Sequence, residues 1–433
     1  MKRSWIFLFT LGLIVVLSSS VLFAQEPVLI KIWDQFGYEG STAAGPAMDK
    51  LVDAYLKANP NVKIERTYVS QSKIRDQVRL AFSAGTAPDA IYTWPAAAVL
   101  SGYAKDGKLF DLSADAKTLG WLDRLPDLEI KRCSYGGKLY AYPSEEDLMV
   151  VYYNRDLFDK LGLKEPATYD DFLKICETLK SNGYVPIAFG NRDKWPATNT
   201  LSYLLALTAG KANQEGVLFK DTPWNNPNYL EACNIFMDWV NKKYFPDGFN
   251  GIDYGEANTL FSMGKAGMNI TGTWIIQDMA AIENFKIDAF LLPQIKTDVP
   301  RATMTGEGSQ WEVNAASDPK VLQEVVKFLN YLYTDENLKT WIEEGYLIPI
   351  RKGGINLDEY TIPDLVKKAY TVGNSMEEVN GYDLHTTVPE SVVETLYNSL
   401  QSMLSGSVSP EDFLKEIDTV WAKAKEAKEV WVP

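Results

Sequence analysis

The chain has 433 residues, enough for two or three domains, and a formal net charge of −14 at pH 7. This acidic balance argues against nucleic acid as a partner, because phosphate binding needs basic patches. Three cysteines exclude a disulfide scaffold, and a single histidine argues against a zinc site, so we expect neither a metal nor a cofactor.

Residues 1–24 have the three-part pattern of a secretory signal peptide. Basic residues stand at positions 2 and 3, residues 6–17 are almost all apolar, and residues 22–24 can serve as a cleavage site. The apolar run is shorter than the roughly 20 residues that cross a membrane. We therefore expect an exported protein, soluble in the periplasm after cleavage; an uncleaved membrane anchor is the alternative.

The elements that follow alternate between strand and helix. Strands are predicted at residues 28–33, 62–69 and 90–92, and helices at residues 46–59 and 73–84. Gly85 directly after the second helix is typical of a helix C-terminus. The order β-α-β-α-β predicts an α/β sheet whose ligands lie near the carboxyl ends of its strands.

The same alternation continues along the rest of the chain. Strands are predicted at residues 148–153 and 185–189, and a helix at residues 169–182, which Thr168 can cap at its amino end. Further helices are predicted at residues 201–208, 229–244, 255–263, 320–333, 336–344, 362–369, 388–404 and 410–428. Cys176 and Cys233 lie in apolar helical patterns, so buried thiols are expected, although one disulfide would be possible.

Aromatic residues are abundant, with 12 tryptophans and 23 tyrosines. A flat ring offers an apolar face to the C–H face of a sugar ring. Carboxylates and amides accept hydrogen bonds from sugar hydroxyls. An exported, acidic and aromatic chain therefore favours a protein that handles carbohydrate.

Five segments of the chain stand in an order typical of one protein family. They are SAGTAPDAIYTW at 83–94, GKLYAYPSEEDLMVVYYNRDLFDKLGL at 137–163, FSMGKAGMNITGTW at 261–274, GYLIPIRK at 345–352 and VPESVVETLYNSLQSMLSGSVSPEDFL at 388–414. In this order they resemble the sugar-type extracellular solute-binding proteins of ABC importers, which include the maltose-binding proteins. The resemblance covers most of the chain after residue 24.

The resemblance implies an α/β fold of the type II periplasmic-binding-protein kind, with two lobes, a hinge and a ligand cleft between the lobes. It implies an N-terminal lobe of residues 25–144 and about 287–345, and a C-terminal lobe of about 145–286 and 346–433. It also implies a binding protein, not an enzyme, that delivers a sugar to an ABC transporter permease in the membrane. An oligosaccharide is favoured over a monosaccharide, and a monomer is expected.

Candidate ligand contacts follow the ends of predicted strands or lie in glycine-rich loops. They are Trp33, Asp34 and Gln35 after the first strand, Thr93 and Trp94 at the end of the third, Asn191 and Arg192 after residues 185–189, and Glu307 in the loop TGEGSQW. For Asp34 the alternative is a turn cap, and for Trp94 it is a packing residue.

Trp274 ends the glycine-rich segment 261–274 and matches the family's most recognisable motif. Gly264 and Gly267 are predicted to end a helix and turn the chain. Residues 268–270 are predicted to form a short strand that carries Trp274 to the rim of the cleft, where its ring can stack on a sugar. The alternative is a core tryptophan packed beneath the loop.

Glu145, Glu146 and Asp147 form a run of three acids. The resemblance implies that this run crosses the hinge and supplies an acidic ligand contact. Asp147 matches the position best, and Glu146 is second. Because three carboxylates are adjacent, a cationic solute such as a polyamine stays open as an alternative ligand.

A secreted glycoside hydrolase is a further alternative for an exported aromatic chain. Such an enzyme needs two carboxylates on either side of the scissile bond, and Glu146 and Glu307 could be that pair. The sequence shows no succession of eight strand–helix units and no catalytic signature beyond acids in loops. The hydrolase is therefore the less favoured interpretation.

Overall fold

The computed structural model describes residues 27–36, 44–373, 375–378 and 382–432. The predicted signal peptide lies outside these residues. In the part of the chain that is described, no helix is both long and apolar enough to cross a membrane.

Strands and helices alternate along the described chain. The strands are Val28–Asp34 (β1), Val62–Tyr68 (β2), Ala90–Thr93 (β3), Ser134–Tyr135 (β4), Lys138–Leu139 (β5), Ala141–Asn154 (β6), Val185–Ala188 (β7), Ala266–Gly272 (β8), Ile287–Phe290 (β9) and Thr305–Val313 (β10). The helices of the first half are Ala44–Ala58 (α1), Gln71–Ala84 (α2), Ala97–Lys105 (α3), Ser113–Thr118 (α4), Trp121–Arg124 (α5), Asp127–Arg132 (α6), Arg155–Leu161 (α7), Tyr169–Ser181 (α8), Trp195–Thr208 (α9) and Gly210–Phe219 (α10).

The remaining helices follow in chain order. They are Pro227–Asn241 (α11), Tyr254–Ser262 (α12), Ile276–Ala280 (α13), Pro319–Leu332 (α14), Asp335–Lys339 (α15), Asp364–Gly373 (α16), Leu384–Thr387 (α17), Glu390–Leu404 (α18) and Pro410–Glu426 (α19). Short 3-10 turns lie at Phe249–Gly251, Thr273–Ile275 and Leu357–Glu359, and a π-helical turn at Thr340–Glu344 extends α15.

Local sequence signals explain where several helices begin and end. The Thr168 hydroxyl accepts a hydrogen bond from the Asp171 amide at the start of α8, and Gly85 ends α2 with a φ of 68°. Each helix and strand predicted from the sequence has a counterpart in the structure. The predictions missed α3 to α7, α10, α13, α17, β4, β5 and β9, most of which have two to seven residues and too little periodicity to be recognised. Residues 305–311, predicted as a loop, instead lie in β10.

Eight of the strands form one mixed sheet in the order β2-β1-β3-β10-β6-β8-β7, with β9 also beside β6, and β4 and β5 form a separate two-stranded sheet. β1 is parallel to β2 and β3, whereas β10 is antiparallel to β3 and β6. The first part of β6 pairs with β10, and its last part pairs with β8 and β9. The predicted α/β class is confirmed, and β6 connects the two halves of the sheet.

Two more segments cross beside β6. The Met149 amide donates to the carbonyl of Met304, at 3.0 Å, just before β10 begins. The Glu146 amide donates to the Ile348 carbonyl at 2.9 Å, and the Ile350 amide donates to the Ser144 carbonyl at 3.0 Å. Three segments therefore run side by side where the two halves of the molecule meet.

Each half of the molecule has its own buried core. The first core takes its buried residues from between Ile30 and Tyr142 and between Trp311 and Ile350. The second half packs one core on each face of its part of the sheet. Phe290 and Met304 lie in a core of the second half, although residues 287–304 were predicted to belong to the N-terminal lobe.

All three cysteines, Cys133, Cys176 and Cys233, are free and buried, as the apolar patterns predict for two of them. Trp311 and Val313 are fully buried on β10, and Gln310 and Glu312, which alternate with them, are buried too. This part of β10 is therefore buried on both faces.

Candidate functional site

The ends of β1 and β3 lie at one edge of the sheet, because these two strands are parallel neighbours with Trp33 opposite Ile91. Trp33 and Trp94 are half-buried and pack against the first core. Thr93 is the last residue of β3 and lies opposite Gln310 of β10. The structure thus brings the first two groups of predicted contacts to the same edge.

Asp34 is buried, with 1% of its surface exposed, and its carboxylate is already bonded. Oδ2 accepts a hydrogen bond from Arg66 Nε at 2.7 Å, and Oδ1 accepts one from the Phe36 amide at 3.0 Å. These contacts match the alternative role of a turn cap, strengthened by an ion pair. The neighbouring Gln35 differs, because its Nε2 is buried and has no hydrogen-bond partner among the residues that the structure describes.

The Arg75 guanidinium lies over the ring of Trp94. The guanidinium carbon of Arg75 lies 5.4 Å from the ring centroid, within the range of a cation–π interaction. Arg75 Nη1 also lies 3.3 Å from Glu390 Oε2, at the amino end of α18. Arg75 Nη2 is buried and has no partner. The pair Arg75–Glu390 connects α2 in the first half with α18 in the second.

Trp274 lies one residue beyond Thr273, which follows the end of β8. Its indole packs directly on Gly272, where a Cβ atom would overlap the ring. Its Nε1 donates to the Tyr254 hydroxyl at 2.8 Å. The Trp195 ring lies 4.5 Å from that of Tyr254 and 6.1 Å from that of Trp274, by centroids. We call Trp195, Tyr254 and Trp274 the aromatic cluster.

The glycines before Trp274 act differently from each other. Gly264 ends the helical segment with a φ of 69°, as predicted. Gly267 lies inside β8, so the prediction that it ends the helix is wrong. A Cβ on Gly267 would run into the side chain of Leu179, so the glycine lets α8 pack closely on the strand.

Asn191 follows β7 and is fully buried. Its Nδ2 donates to Asn250 Oδ1 at 2.8 Å, while its Oδ1 has no partner. Arg192 is exposed and forms ion pairs with Asp253 and Glu256 at the amino end of α12. These ion pairs hold Arg192 against the helix whose first residue is Tyr254.

Asp147 lies in β6 where the three segments cross. Its Oδ1 accepts a hydrogen bond from Thr273 Oγ1 at 2.7 Å, which ties β6 to the residue before Trp274. A Cβ on Gly308 would overlap the Asp147 carboxylate, so only glycine fits there. Burial, and next the charge of Glu145, raise the pKa of Asp147 to about 7. Glu145 itself accepts a hydrogen bond from the Tyr92 hydroxyl at 2.5 Å.

Glu146 and Glu307 are neighbours across strands β6 and β10. Because side chains alternate along a strand, Glu146 and Asp147 leave opposite faces of β6. Glu146 lines a cavity of about 250 Å³ together with residues of α16. The side chain of Glu307 lies outside what the structure describes. Within the described residues, no group of three or more His, Cys, Asp or Glu side chains is placed to hold a metal.

A family model supplies the classification. The model of the bacterial extracellular solute-binding proteins matches residues 50–367, well over half of the chain. The chain belongs to this family. The prediction that the protein is a binding protein and not an enzyme is confirmed, and the family's name implies export from the cytoplasm.

Curated relatives of this solute-binding protein agree with the classification. The multiple sugar-binding protein of Streptococcus mutans is 24% identical over 335 residues, covering 75% of this chain and 76% of the relative. The melibiose/raffinose/stachyose-binding protein MelE of Bacillus subtilis is 21% identical over 438 residues, covering 99% of this chain and 98% of the relative.

Solved structures show the same fold. A chitin oligosaccharide binding protein superposes with a TM-score of 0.84 at 24% identity, covering 93% of this chain and all of the other. Maltose-bound MalE3 of T. maritima superposes with a TM-score of 0.73 at 18% identity, covering 90% of this chain and 98% of the other. The solute-binding protein has the expected two-lobed fold.

Sequence reasoning missed four contributors to the candidate site of this solute-binding protein: Arg75, Glu390, Tyr254 and Trp195. Arg75 and Glu390 are 315 positions apart, and no local pattern links them. Tyr254 directly precedes the helix predicted at residues 255–263. The signal that could have found it is its place directly after Asp253, whose partner Arg192 was already a candidate.

Proposed function

We propose that this protein binds a carbohydrate, an oligosaccharide rather than a monosaccharide, outside the cytoplasmic membrane and delivers it to the permease of an ABC transporter. The names of two relatives specify sugars, and others are named as extracellular-binding proteins of ABC transporters. The polyamine alternative is not favoured by these relatives.

The aromatic cluster is the observation that carries the proposal. The Trp274 ring packs against Gly272, and its Nε1 donates a hydrogen bond to the Tyr254 hydroxyl; together these contacts fix its position. A ring held this way is pre-organised, so stacking a sugar on it costs little side-chain entropy. Trp94, on the opposite half of the molecule, is the candidate second platform.

Polar atoms without partners support the same site. Gln35 Nε2, Arg75 Nη2 and Asn191 Oδ1 are buried and form no hydrogen bond with the described part of the chain, and all three lie near the predicted contacts. A buried polar group left unbonded costs free energy that a ligand hydroxyl would recover. Hydroxyls both donate and accept, so one class of ligand can satisfy these mixed donors and acceptors. We include Trp33, Thr93 and Asp147 among the contacts and give Asp34 and Arg192 positioning roles.

The lobe division is part of the proposal. We keep two discontinuous lobes, with residues 25–144 starting the first and residues 145–286 starting the second. The burial of Phe290 and Met304 in the second half favours a boundary near residue 305 over one near 287. Limited proteolysis of the protein with and without ligand would show which of the segments that connect the lobes a protease can reach.

The test is calorimetric titration of the exported form with malto-, chito-, xylo- and galacto-oligosaccharides and with spermidine. We expect one sugar to saturate the wild type, and Trp274→Ala to weaken it by roughly 10- to 100-fold, as stacking energies of about 1–3 kcal/mol imply. Tyr135→Ala, which removes an exposed aromatic ring from β4, is the matched control and should change nothing.

Two outcomes would count against the proposal. Equal sugar affinity in the wild type and in Trp274→Ala would remove the aromatic cluster from the site. Saturation by spermidine alone, weakened by salt, would replace the sugar with a cation.

Location and assembly complete the proposal. The pattern of residues 1–24 supports a periplasmic protein, the net charge of −14 supports a chain that does not bind nucleic acid, and we propose a monomer. Cell fractionation would test the location, and light scattering with and without sugar would test the monomer.

A further inference from the structure

A cavity beside the crossing segments forms a second candidate site. It encloses about 250 Å³ and is lined by Glu146, Ile348, Tyr370, Met376 and the loop 353–357, among others. None of the three residues of the aromatic cluster lines it. We call it the hinge cavity.

Among the described residues that line the hinge cavity, Glu146 is the one carboxylate. Its amide is bonded to the Ile348 carbonyl, but its carboxylate forms no hydrogen bond or ion pair with the described residues. The charged group that affects it electrostatically is Glu129, which is also an acid and is already paired with Arg132. Burial, and next this like charge, raise the pKa of Glu146, as expected of a carboxylate that lacks a cation.

Most of the other side chains of the cavity are apolar. They are Leu148, Ile348, Ile355, Leu357, Tyr370 and Met376. A partly buried carboxylate among such side chains is unfavourable unless a cation accompanies it. The volume is that of about eight water molecules in the liquid, at about 30 Å³ each. These properties fit a molecule with one ammonium group and a short apolar body.

We propose that the hinge cavity binds a small alkylammonium ion, whose nitrogen contacts the Glu146 carboxylate and whose chain lies against the apolar lining. This site differs from the sugar site in position and in ligand chemistry. Charge complementarity selects the ammonium group, and the apolar side chains contact its chain.

The apolar side chains that line the hinge cavity all belong to, or pack against, one core of the second half. Its loop 353–357 follows Lys352, whose amide donates to the Arg124 carbonyl and whose Nζ lies 2.9 Å from Asp127, both in the first half. An ion that orders this loop changes the contact between the halves. If the proposed sugar function holds, such a change alters sugar affinity, and sugar then alters the affinity for the ion by the same factor.

The first experiment titrates the protein with n-hexylamine at pH 8, by calorimetry and without sugar. We expect saturable binding at one site, weakened by salt and much weaker with n-hexanol, which has the same body and no charge. Glu146→Gln should weaken n-hexylamine binding by at least about tenfold, because a charged hydrogen bond is replaced by a neutral one. Glu65→Gln removes an exposed acid from β2 and is the matched control.

A second variant tests the cavity rather than the charge. Ile355→Trp fills the cavity from a half-buried loop position, and it should abolish n-hexylamine binding while the circular dichroism spectrum is unchanged. Unchanged n-hexylamine affinity in Glu146→Gln or in Ile355→Trp would overturn the proposal. Absence of saturable binding to the wild type would overturn it as well.

The linkage is measured separately, with whichever sugar binds. A change in sugar affinity at saturating n-hexylamine, absent in Ile355→Trp, supports the coupling between the two sites. An unchanged sugar affinity refutes the coupling but leaves the ammonium site in place. Failure of all sugars refutes the proposed function alone, because the n-hexylamine titration needs no sugar.

Discussion

Glu312 lies in β10 between buried residues of the first core, and its carboxylate has one partner among the described residues. It is 3% exposed, its Oε1 accepts a hydrogen bond from Gln310 Nε2 at 2.8 Å, and its Oε2 is buried without a bond to the described chain. Burial raises the pKa of Glu312 from the usual 4.5 to about 7. The folded protein therefore binds a proton at this residue that the unfolded chain releases near pH 4.5.

The sign of the effect on stability follows from this difference. Between pH 4.5 and 7 the folded state holds more protons at Glu312 than the unfolded state, so the free energy of unfolding falls as the pH rises. The contribution of Glu312 to the free energy of unfolding is fully present below pH 4.5 and is lost above pH 7. At 1.36 kcal/mol per pKa unit, the loss is about 3 kcal/mol.

Glu312→Gln replaces the carboxyl group by an amide that resembles its protonated form. The amide oxygen can still accept from Gln310, and no charge has to be buried at any pH. We expect the variant to match the wild type at pH 4.5 and to be more stable by up to about 3 kcal/mol at pH 8.5. The measurement is the urea midpoint by circular dichroism at several pH values, with Glu65→Gln as the exposed control.

A gain in stability that is equal at pH 4.5 and at pH 8.5 would refute this reasoning, because it would show that packing and not ionisation is responsible. A variant less stable at every pH would do the same. Some pH dependence should persist in Glu312→Gln, since burial raises the pKa of Asp147 to about 7 and that of Glu145 in the same direction.

Four further outcomes are expected. Gly272→Ala should weaken sugar binding in calorimetry without lowering the urea midpoint greatly, because the new methyl group displaces the Trp274 ring. Arg75→Gln should weaken sugar affinity a few-fold and reduce its salt dependence, since the variant loses the ion pair between the two halves. Thr168→Ala should lower the free energy of unfolding by about 1 kcal/mol in urea titrations, through loss of a helix cap. The three buried thiols should react with a disulfide reagent only after unfolding, as followed by absorbance.

Much of the fold could be predicted because its signals are local. Gly85 ends α2, and Thr168 starts α8. Each of these depends on residues a few positions apart, where hydrogen bonds and side-chain direction are set by the backbone. Short helices were missed because four to seven residues carry too little periodicity.

The candidate site could be predicted only in part, because it is assembled over long distances. The motif around Trp274 located the ring, but its hydrogen bond to Tyr254 and its contact with Gly272 depend on the fold of β8 and α12. Asp34 follows a strand end as a ligand contact would, yet Arg66 occupies its carboxylate from the next strand, 32 positions away. Chain position alone cannot distinguish a free acceptor from one that is already bonded.

The three residues Glu145 to Asp147 also show that chain position does not reveal the partners of a side chain. In the sequence these three residues form one acidic run. The family resemblance can rank them as ligand contacts, but it does not tell which groups surround each carboxylate. In β6 the three carboxylates meet different partners: Glu145 meets the Tyr92 hydroxyl, Asp147 meets Thr273 beside the aromatic cluster, and Glu146 faces the hinge cavity. Since an extended strand sends consecutive side chains to opposite faces, Glu146 meets other partners than Glu145 and Asp147 do, although the pKa of Asp147, raised most by burial, is also raised by the charges of Glu145 and Glu146. For this reason we expect a cation in the hinge cavity beside Glu146 and not at the proposed sugar site.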